Sequence, residues 1–192
     1  SQALWLWRTQ NQKEEVISRI ELYDDFLSSY QNSSYKRIFN GQPGSDFVWF
    51  FCNDLNGVKG KGNFYFNNTA YEPAANIDDP SQYFIYEPLL NRLNIALSNV
   101  IRIKANLYPW AGRRMHHATH TDYEPNQGYK TCLYYVHDSN RLTIFDRKAK
   151  IKCKNNRAII FDGSIPHHST TPTDVNFSCS INIDYREWFQ NA

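Results

Sequence analysis

Three residues in the C-terminal half of the chain have the types and spacing of a metal site. His120 and Asp122 form the only His-x-Asp in the sequence, and His167 follows 45 residues after Asp122. All six histidines lie between His116 and His168. Two imidazoles and one carboxylate on one side of an ion leave three coordination positions open, an arrangement that suits Fe(II). The sequence therefore predicts an iron site formed by His120, Asp122 and His167.

The segments around these residues predict the strands that would position them. A strand places both residues of His-x-Asp on one face, because alternate side chains point the same way. Turn residues separate short alternating or apolar runs, and this predicts about eight strands from residue 101 onward. Such a density is typical of a sandwich or barrel of jelly-roll type. The runs are Ile101–Leu107, Met115–His120, Thr131–Val136, Leu142–Phe145, Ala149–Cys153, Ala158–Phe161, the residues after His167, and Ser178–Ile183.

The first hundred residues predict elements that support this β core. Apolar residues recur at helical spacing in residues 11–30 and again in Glu87–Val100, which predicts two helices. Phe47–Phe51 and Phe64–Phe66 predict short strands, and the residues 67–82 predict a long loop. Helices that precede a β core indicate an α+β order, here mainly β.

Composition bounds the class of protein. A chain of 192 residues, 41% apolar and 16% aromatic, fits one domain with a sizeable core. A formal charge of +2 indicates neither nucleic acid nor a membrane surface as a partner. No apolar run is long enough to span a membrane, and the opening Ser1–Trp7 lacks the pattern of a signal peptide.

The cysteines and one lysine pattern add two expectations. Four scattered cysteines without a Cys-x-x-Cys predict free thiols, and therefore a cytoplasmic protein. Lysines alternate with apolar residues between residues 148 and 154, which predicts an exposed strand edge.

Several segments of residues 101–185 resemble the Fe(II)/2-oxoglutarate-dependent oxygenases, specifically the prolyl-hydroxylase-like proteins of marine phages and bacteria. The resemblance implies a double-stranded β-helix (a cupin-like jelly roll) with N-terminal supporting helices. Residues 1–192 would form one domain, with 1–100 as support and 101–187 as the core. The matching segments are Arg102–Pro109, His120–Asp122, Tyr129–Val136, Asn156–Asp162, and Pro166–Asp174 followed by Ile181–Asn182.

The resemblance also implies an activity. Fe(II) would be held by His120, Asp122 and His167, with 2-oxoglutarate and O₂ as co-substrates. The expected reaction hydroxylates a side chain, a prolyl residue of a protein or peptide among the options, and releases succinate and CO₂. A small molecule is the other kind of substrate, and the host cytoplasm is the location if a phage encodes the chain. The alternative is a jelly-roll module that binds a metal without catalysis or without 2-oxoglutarate.

Two histidines compete for the distal ligand position. The family pattern Leu/Pro-His-x-Gly-Thr aligns its histidine with His167. His168 is the alternative, because a proline four residues after the ligand, here Pro172, also occurs in related hydroxylases.

One departure concerns the co-substrate. The family carries an Arg about ten residues beyond the distal histidine, where it binds the far carboxylate of 2-oxoglutarate. Ser178 stands there, and a buried dianion without a cation is costly. Lys130, in a Gly-Tyr-Lys-x-Cys segment that resembles the asparaginyl-hydroxylase and JmjC branch, is one substitute, and Arg141 is a second. Other candidates to hydrogen-bond the keto acid are Asn106, Tyr108, Asn126 and the Ser178 hydroxyl.

Overall fold

Two antiparallel sheets face each other, and two helices pack against the outer face of the larger sheet. The computed structural model describes residues 19–40, 45–55, 58–59, 63–146 and 149–187. Within these ranges the helices are α1 (Ser29–Phe39) and α2 (Tyr83–Leu93). Short 3₁₀ turns follow at Pro73–Ala75, Pro80–Gln82 and Leu97–Asn99.

The strands of the described residues form one large sheet, one small sheet and one hairpin. The large sheet has the order β1-β11-β8-β13-β7-β5-β2, with β6 beside β5. The small sheet has the order β10-β9-β12, and β3 pairs with β4. The strands are β1 (Ile20–Tyr23), β2 (Phe50–Cys52), β3 (Asp54–Leu55), β4 (Val58–Lys59), β5 (Tyr65–Glu72), β6 (Ile77–Asp78), β7 (Val100–Pro109), β8 (Tyr129–Tyr135), β9 (Leu142–Phe145), β10 (Ala149–Lys152), β11 (Arg157–Asp162), β12 (His167–Ser169) and β13 (Phe177–Arg186).

The alternation of β7 shows how the sequence builds the layers. Ile103 and Ala105 are fully buried in the core that the large sheet forms with α1 and α2. Arg102, Lys104 and Asn106 point the other way, toward the small sheet, because successive side chains of a strand alternate. We call this second face the inner face. Its residues on the central strands are Arg102, Lys104, Asn106, Tyr108, Thr131, Leu133, Tyr135, Ser178, Ser180, Asn182 and Asp184.

The two facing sheets form the predicted double-stranded β-helix. Leu133 and Tyr135 of the large sheet pack against Phe145 of the small sheet. The segment before Asp122 is joined to the small sheet by two isolated bridges, from His116 and His120, and is not a continuous strand. The jelly-roll prediction for the C-terminal half is confirmed.

The first helix prediction is wrong in its described part. Ile20–Tyr23 is a strand that pairs with β11, and α1 begins only at Ser29. Ser28 starts the helix, since its hydroxyl accepts from the Gln31 amide and the Gln31 side chain accepts from the Ser28 amide. The earlier residues of the predicted helix lie outside the described ranges.

Two further boundaries differ from the prediction. The second helix runs from Tyr83 to Leu93 and ends at Asn94, whose φ of 56° is left-handed. The predicted loop over residues 67–82 is wrong in its first part, because β5 continues to Glu72. The backbone of β5 pairs along β7, and this pairing overrides the weak intrinsic strand preference of its polar residues.

The predictions of free thiols and of an exposed strand edge that carries lysines are confirmed. All four cysteines are free, and Cys132, Cys153 and Cys179 are buried. Lys150 and Lys152 are exposed on β10, which lies at an edge of the small sheet. Among the described residues, neither helix is long and apolar enough to cross a membrane.

Asn156 links the segment before α1 to the core, and its loss should destabilise the protein. It is 5% exposed, and its side chain bonds both the amide and the carbonyl of Leu27, each at 2.9 Å. Asn156→Gly keeps the left-handed backbone at φ 59° but leaves these groups unpaired. We expect the free energy of unfolding in urea to fall by about 2–4 kcal/mol. Asn94→Gly, at a matched φ but exposed, should change it by less than about 0.5 kcal/mol. Equal losses in the two variants would contradict a role for the Asn156 side chain.

Candidate metal centre

The structure brings His120, Asp122 and His167 together. His120 and His167 lie opposite each other in an antiparallel bridge, with N–O distances of 3.0 and 2.9 Å, and their rings are 4.5 Å apart. The Asp122 carboxylate lies 3.9 Å from His120 Nε2 and 3.6 Å from His167 Nε2. One ligand atom of each residue lies within 4.8 Å of the others. This spacing suits three ligands on one side of one ion.

Backbone carbonyls fix the orientation of both imidazoles. Nδ1 of His167 lies 2.9 Å from the Ile165 carbonyl, and Nδ1 of His120 lies 3.3 Å from the Ala118 carbonyl. A proton on Nδ1 leaves the Nε2 lone pair free to bind a metal. Burial, followed by the neighbouring His167, lowers the pKa of His120 and favours the neutral form that ligation requires.

The Asp122 carboxylate is held by groups on the inner face. Its Oδ1 accepts from Arg102 at 3.2 Å and its Oδ2 from the Thr131 hydroxyl at 3.0 Å. Behind them lies Asp184, which is fully buried, 2.6 Å from Arg102 and 2.8 Å from the Thr131 hydroxyl. Burial raises the pKa of Asp184 to about 6, and Asp122 adds to this, while Arg102 opposes it. Three polar residues on adjacent strands thus position one candidate ligand.

Gly163 lies beside Asp122 and leaves room for the Tyr123 ring. Its carbonyl accepts from the Asp122 amide at 2.8 Å. A Cβ at this position would lie 2.8 Å from the ring of Tyr123 and 3.5 Å from Asp122 Cβ. A larger residue would therefore displace the Tyr123 ring, whereas its distance from Asp122 would be an ordinary van der Waals contact.

The Thr131 hydroxyl should tune the affinity for the metal. It has one proton for two carboxylates, so Thr131→Val removes a bond to Asp122 at nearly constant volume. We expect the dissociation constant for Mn²⁺ or Co²⁺ to rise about 10-fold or more, as for other groups that orient ligands. Calorimetric titration measures this constant. Thr143→Val, which removes a hydroxyl bonded to Tyr135 instead, is the control. Equal affinities in wild type and Thr131→Val would contradict the role.

His168 points away from this cluster. Its Nε2 lies 3.2 Å from His116 Nδ1, and its Nδ1 lies 3.2 Å from the Thr119 hydroxyl. Adjacent residues of β12 face opposite sides, so only one of the two distal histidines can lie beside Asp122. That residue is His167.

Arg141 lies close to Ser178, where the expected arginine is missing. It is 2% exposed, and its guanidinium lies 4.5 Å from the centroid of the Tyr108 ring. Both residues contact Cys153, at 3.9 Å from Arg141 Nη2 and 3.5 Å from the Ser178 hydroxyl. Ser139 also bonds both, through the Arg141 amide and the Ser178 hydroxyl. Arg141, the residue directly before β9, thus supplies a cation to this part of the interior.

Two polar groups in this interior have no partner among the described residues. The Nε of Arg141 is buried without an acceptor, and no carboxylate of the described residues pairs with this side chain. The Nε2 of His117 is also buried without a partner, while its Nδ1 lies 2.8 Å from the Ser169 hydroxyl. The His117 ring stacks on Tyr108 at 5.3 Å. Burial, then Arg141, lowers the pKa of His117 to about 3, so this imidazole is neutral. An unpaired buried cation costs several kcal/mol, which indicates a site built for an anion.

Three solved structures share this architecture over most of their length. The viral collagen prolyl hydroxylase vCPH of Paramecium Bursaria Chlorella virus-1, in a 2OG complex, has a TM-score of 0.56 and 14% identity, covering 88% of this chain and 97% of its own. The non-heme alpha ketoglutarate dependent epimerase SnoN of nogalamycin biosynthesis has a TM-score of 0.58 and 9% identity. The match covers 93% of this chain and 84% of the epimerase chain. A Trichoplax adhaerens prolyl hydroxylase, in complex with a hypoxia inducible factor peptide fragment, has a TM-score of 0.53 and 15% identity. The match covers 95% of this chain and 92% of the hydroxylase chain.

This chain has the fold that these two prolyl hydroxylases and this epimerase share. The fold-level resemblance drawn from the sequence is therefore confirmed. The sequence matches no protein-family model, and no curated protein is similar to it at a significant level. Identities this low show the fold alone, so the chemistry of the site rests on the residues themselves.

Lys130 lies on the outer face of the large sheet, which does not suit its predicted role. Thr131 points inward to Asp122, so Lys130, the preceding residue of β8, points outward. Its ammonium lies 3.7 Å from Glu187. Asn126 is exposed in a turn. Asn106 does lie on the inner face, where it donates to Asn182 at 3.1 Å.

The structure adds four residues to the site that were not predicted from the sequence. Arg102, Thr131 and Asp184 hold the candidate ligand Asp122, and His117 lines the interior beside Tyr108. A signal for them existed, since polar residues occupy one face of strands that alternate with buried apolar residues. The alternation alone does not show which face looks onto the metal.

Proposed function

We propose that the chain is an Fe(II)- and 2-oxoglutarate-dependent dioxygenase that hydroxylates a side chain. The observation that carries this proposal is Arg141, a buried guanidinium without an acidic partner among the described residues, in the same interior as the His120, Asp122 and His167 cluster. A metal site alone would not need that cation. A metal site together with a cation for a second carboxylate suits a keto diacid.

The ligand set fits Fe(II). Two imidazole nitrogens and one carboxylate, with open positions, are the donors of non-haem Fe(II) oxygenases. Free cysteines take no part in the cluster, which disfavours a structural zinc site of thiolate type. Bound there, Fe(II) would supply the activation of O₂ that couples oxidation of the keto acid to succinate and CO₂ with hydroxylation.

The interior around Tyr108 fits the far carboxylate of 2-oxoglutarate. Arg141 would bind it with a charge-assisted bond, and the Tyr108 hydroxyl and His117 Nε2 would add neutral bonds. Ser178 contributes its small size, since a larger residue there would compete with Arg141 for the same space. Arg141 is thus our candidate for the missing cation, in place of Lys130.

Aromatic rings keep water away from the distal ligand. The ring of Phe161 lies 4.9 Å from His167, and that of Phe145 lies 5.8 Å from it. Both phenylalanines are fully buried. A dry surrounding strengthens the ionic contacts of Asp122 and Arg141, because the local dielectric constant is low.

The substrate we propose is a side chain of a protein or peptide, prolyl among the options, or a small molecule. Prolyl hydroxylases among the similar structures, one of them bound to a peptide fragment, support the first class. An epimerase with the same fold supports the second class. A reducing cytoplasm, in the host if a phage encodes the chain, suits both Fe(II) and the free thiols.

The rival reading is a jelly-roll module that binds a metal without 2-oxoglutarate. It is suggested by the loss of the family's arginine at Ser178. The contacts that Arg141 and Ser178 share with Cys153 support the proposed function over this alternative.

An anaerobic titration tests the proposed function. Fe(II)-loaded protein should bind 2-oxoglutarate at micromolar concentration and develop visible absorption as the keto acid chelates the metal. Admission of air should then release succinate, with a slow rate in the absence of the primary substrate. Failure to bind 2-oxoglutarate at millimolar concentration would reject the proposal and favour the metal-binding module.

A further inference from the structure

Lys104 occupies the inner face close to the candidate metal centre. Arg102 on β7 is one of the residues that hold Asp122. Lys104 lies two residues further along β7, on the same face. Its cross-strand partner on β13 is Asn182. Two residues of a strand span about 7 Å, so Lys104 lies one row away from the groups that touch the metal carboxylate.

The Lys104 ammonium has a neutral hydrogen-bond partner among the described residues. It donates to the Tyr65 hydroxyl at 3.1 Å and lies 5.3 Å from the centroid of the Tyr65 ring. No carboxylate of the described residues forms an ion pair with it, and its row neighbour Asn182 is neutral. An ammonium has three donors, so the described contacts use one of them.

Burial makes this arrangement unfavourable without an anion. Lys104 is half-buried, and burial, followed by the positive charge of Arg102, lowers its pKa. Glu72 and Asp184 act in the opposite direction from a distance. A bound carboxylate would remove the penalty for the charged form.

The charges on the inner face indicate that the co-substrate does not need Lys104. Arg102 faces two carboxylates, Asp122 and Asp184. Arg141 and Lys104 face none among the described residues. 2-Oxoglutarate brings two carboxylates, of which one chelates the metal and the other suits the fully buried Arg141. One cation, Lys104, remains for the primary substrate.

We propose that Lys104 and Tyr65 form a subsite for a carboxylate of the primary substrate. This inference rests on the proposed function and adds the class of substrate: an acid whose carboxylate is bound about one strand row from the metal. The ammonium supplies the charge, and the Tyr65 hydroxyl holds the ammonium in place through its lone pair.

Two probes of equal size test the subsite. N-acetyl-L-proline carries a carboxylate, and N-acetyl-L-prolinamide replaces it with a neutral amide. Each is titrated by calorimetry into protein loaded with Zn²⁺ and 2-oxoglutarate, in which no turnover occurs. Wild type should bind the acid about tenfold or more tightly than the amide, as a charge-assisted hydrogen bond implies. Lys104→Met should remove this preference.

Lys130→Met is the matched control, because it removes a lysine from the outer face of the same sheet and should keep the preference. The inference is overturned if wild type binds acid and amide equally, if it binds neither, or if Lys104→Met retains the preference. Should Lys104→Met fail to fold, Tyr65→Phe replaces it, with a few-fold loss of preference expected and no change as the contrary result.

The 2-oxoglutarate affinity, measured first without probes, separates this inference from the proposed function. Wild type that does not bind 2-oxoglutarate rejects the proposed function itself. If wild type binds 2-oxoglutarate but Lys104→Met does not, Lys104 binds the co-substrate. That result overturns the substrate subsite and leaves the proposed function intact.

Discussion

Replacement of His167 by alanine will abolish tight metal binding, whereas replacement of His168 will leave it nearly unchanged. Only His167 lies opposite His120 with its Nε2 3.6 Å from Asp122. Loss of one of three ligands should weaken Mn²⁺ or Co²⁺ binding more than about 100-fold, because even groups that only orient ligands cost about 10–100-fold. Calorimetry on metal-free protein measures both constants.

The His168→Ala variant is a close control, since the two histidines are adjacent in sequence and both buried. It loses contacts with His116 and Thr119, so some loss of stability is compatible with intact metal affinity. Loss of metal binding in His168→Ala together with retention in His167→Ala would reverse the assignment of the distal ligand.

Replacement of Arg141 by methionine will weaken 2-oxoglutarate binding by about 100-fold, as expected when a buried charge-assisted contact to a carboxylate is lost. Metal affinity should be unchanged, because Arg141 makes no described contact with His120, Asp122 or His167. The measurement is a titration of 2-oxoglutarate into metal-loaded protein, monitored by calorimetry.

The stability of the same variant distinguishes a binding role from a structural one. Arg141 is a buried cation without an acidic partner among the described residues, so Met of similar length should leave the free energy of unfolding unchanged or raise it by about 1–4 kcal/mol. If the role of Arg141 were structural, its replacement by Met would lower the free energy of unfolding. Lys130→Met tests the other candidate cation and should leave 2-oxoglutarate affinity unaltered; weaker binding in that variant alone would restore Lys130.

The N-terminal half shows why local patterns were insufficient there. Ile20–Tyr23 has the mixed polarity of an exposed helix turn, yet it extends the large sheet through β11. The residues after Tyr65 are rich in Asn and Thr, which favour loops, yet they complete the sheet beside β7. Pairing with a distant strand decided both segments, and no property of the local sequence reports such a partner.

The sequence by itself determined the types and order of the candidate metal ligands and the β core that carries them. His-x-Asp on an extended segment places two ligands on one face, and the late histidines supply the third. Alternating runs from residue 101 onward predicted facing sheets, because a strand with one polar and one apolar face needs a partner layer.

The tertiary structure decided everything that depends on which face of a strand looks inward. A shift of one residue moves a side chain to the other face, so the sequence favoured His167 but left His168 as an alternative, and it did not rank Arg141 above Lys130. The support of Asp122 by Arg102, Thr131 and Asp184 depends on the register of three strands that are far apart in sequence. That Arg141 and Lys104 lack an acidic partner among the described residues becomes visible only when the two sheets are in place.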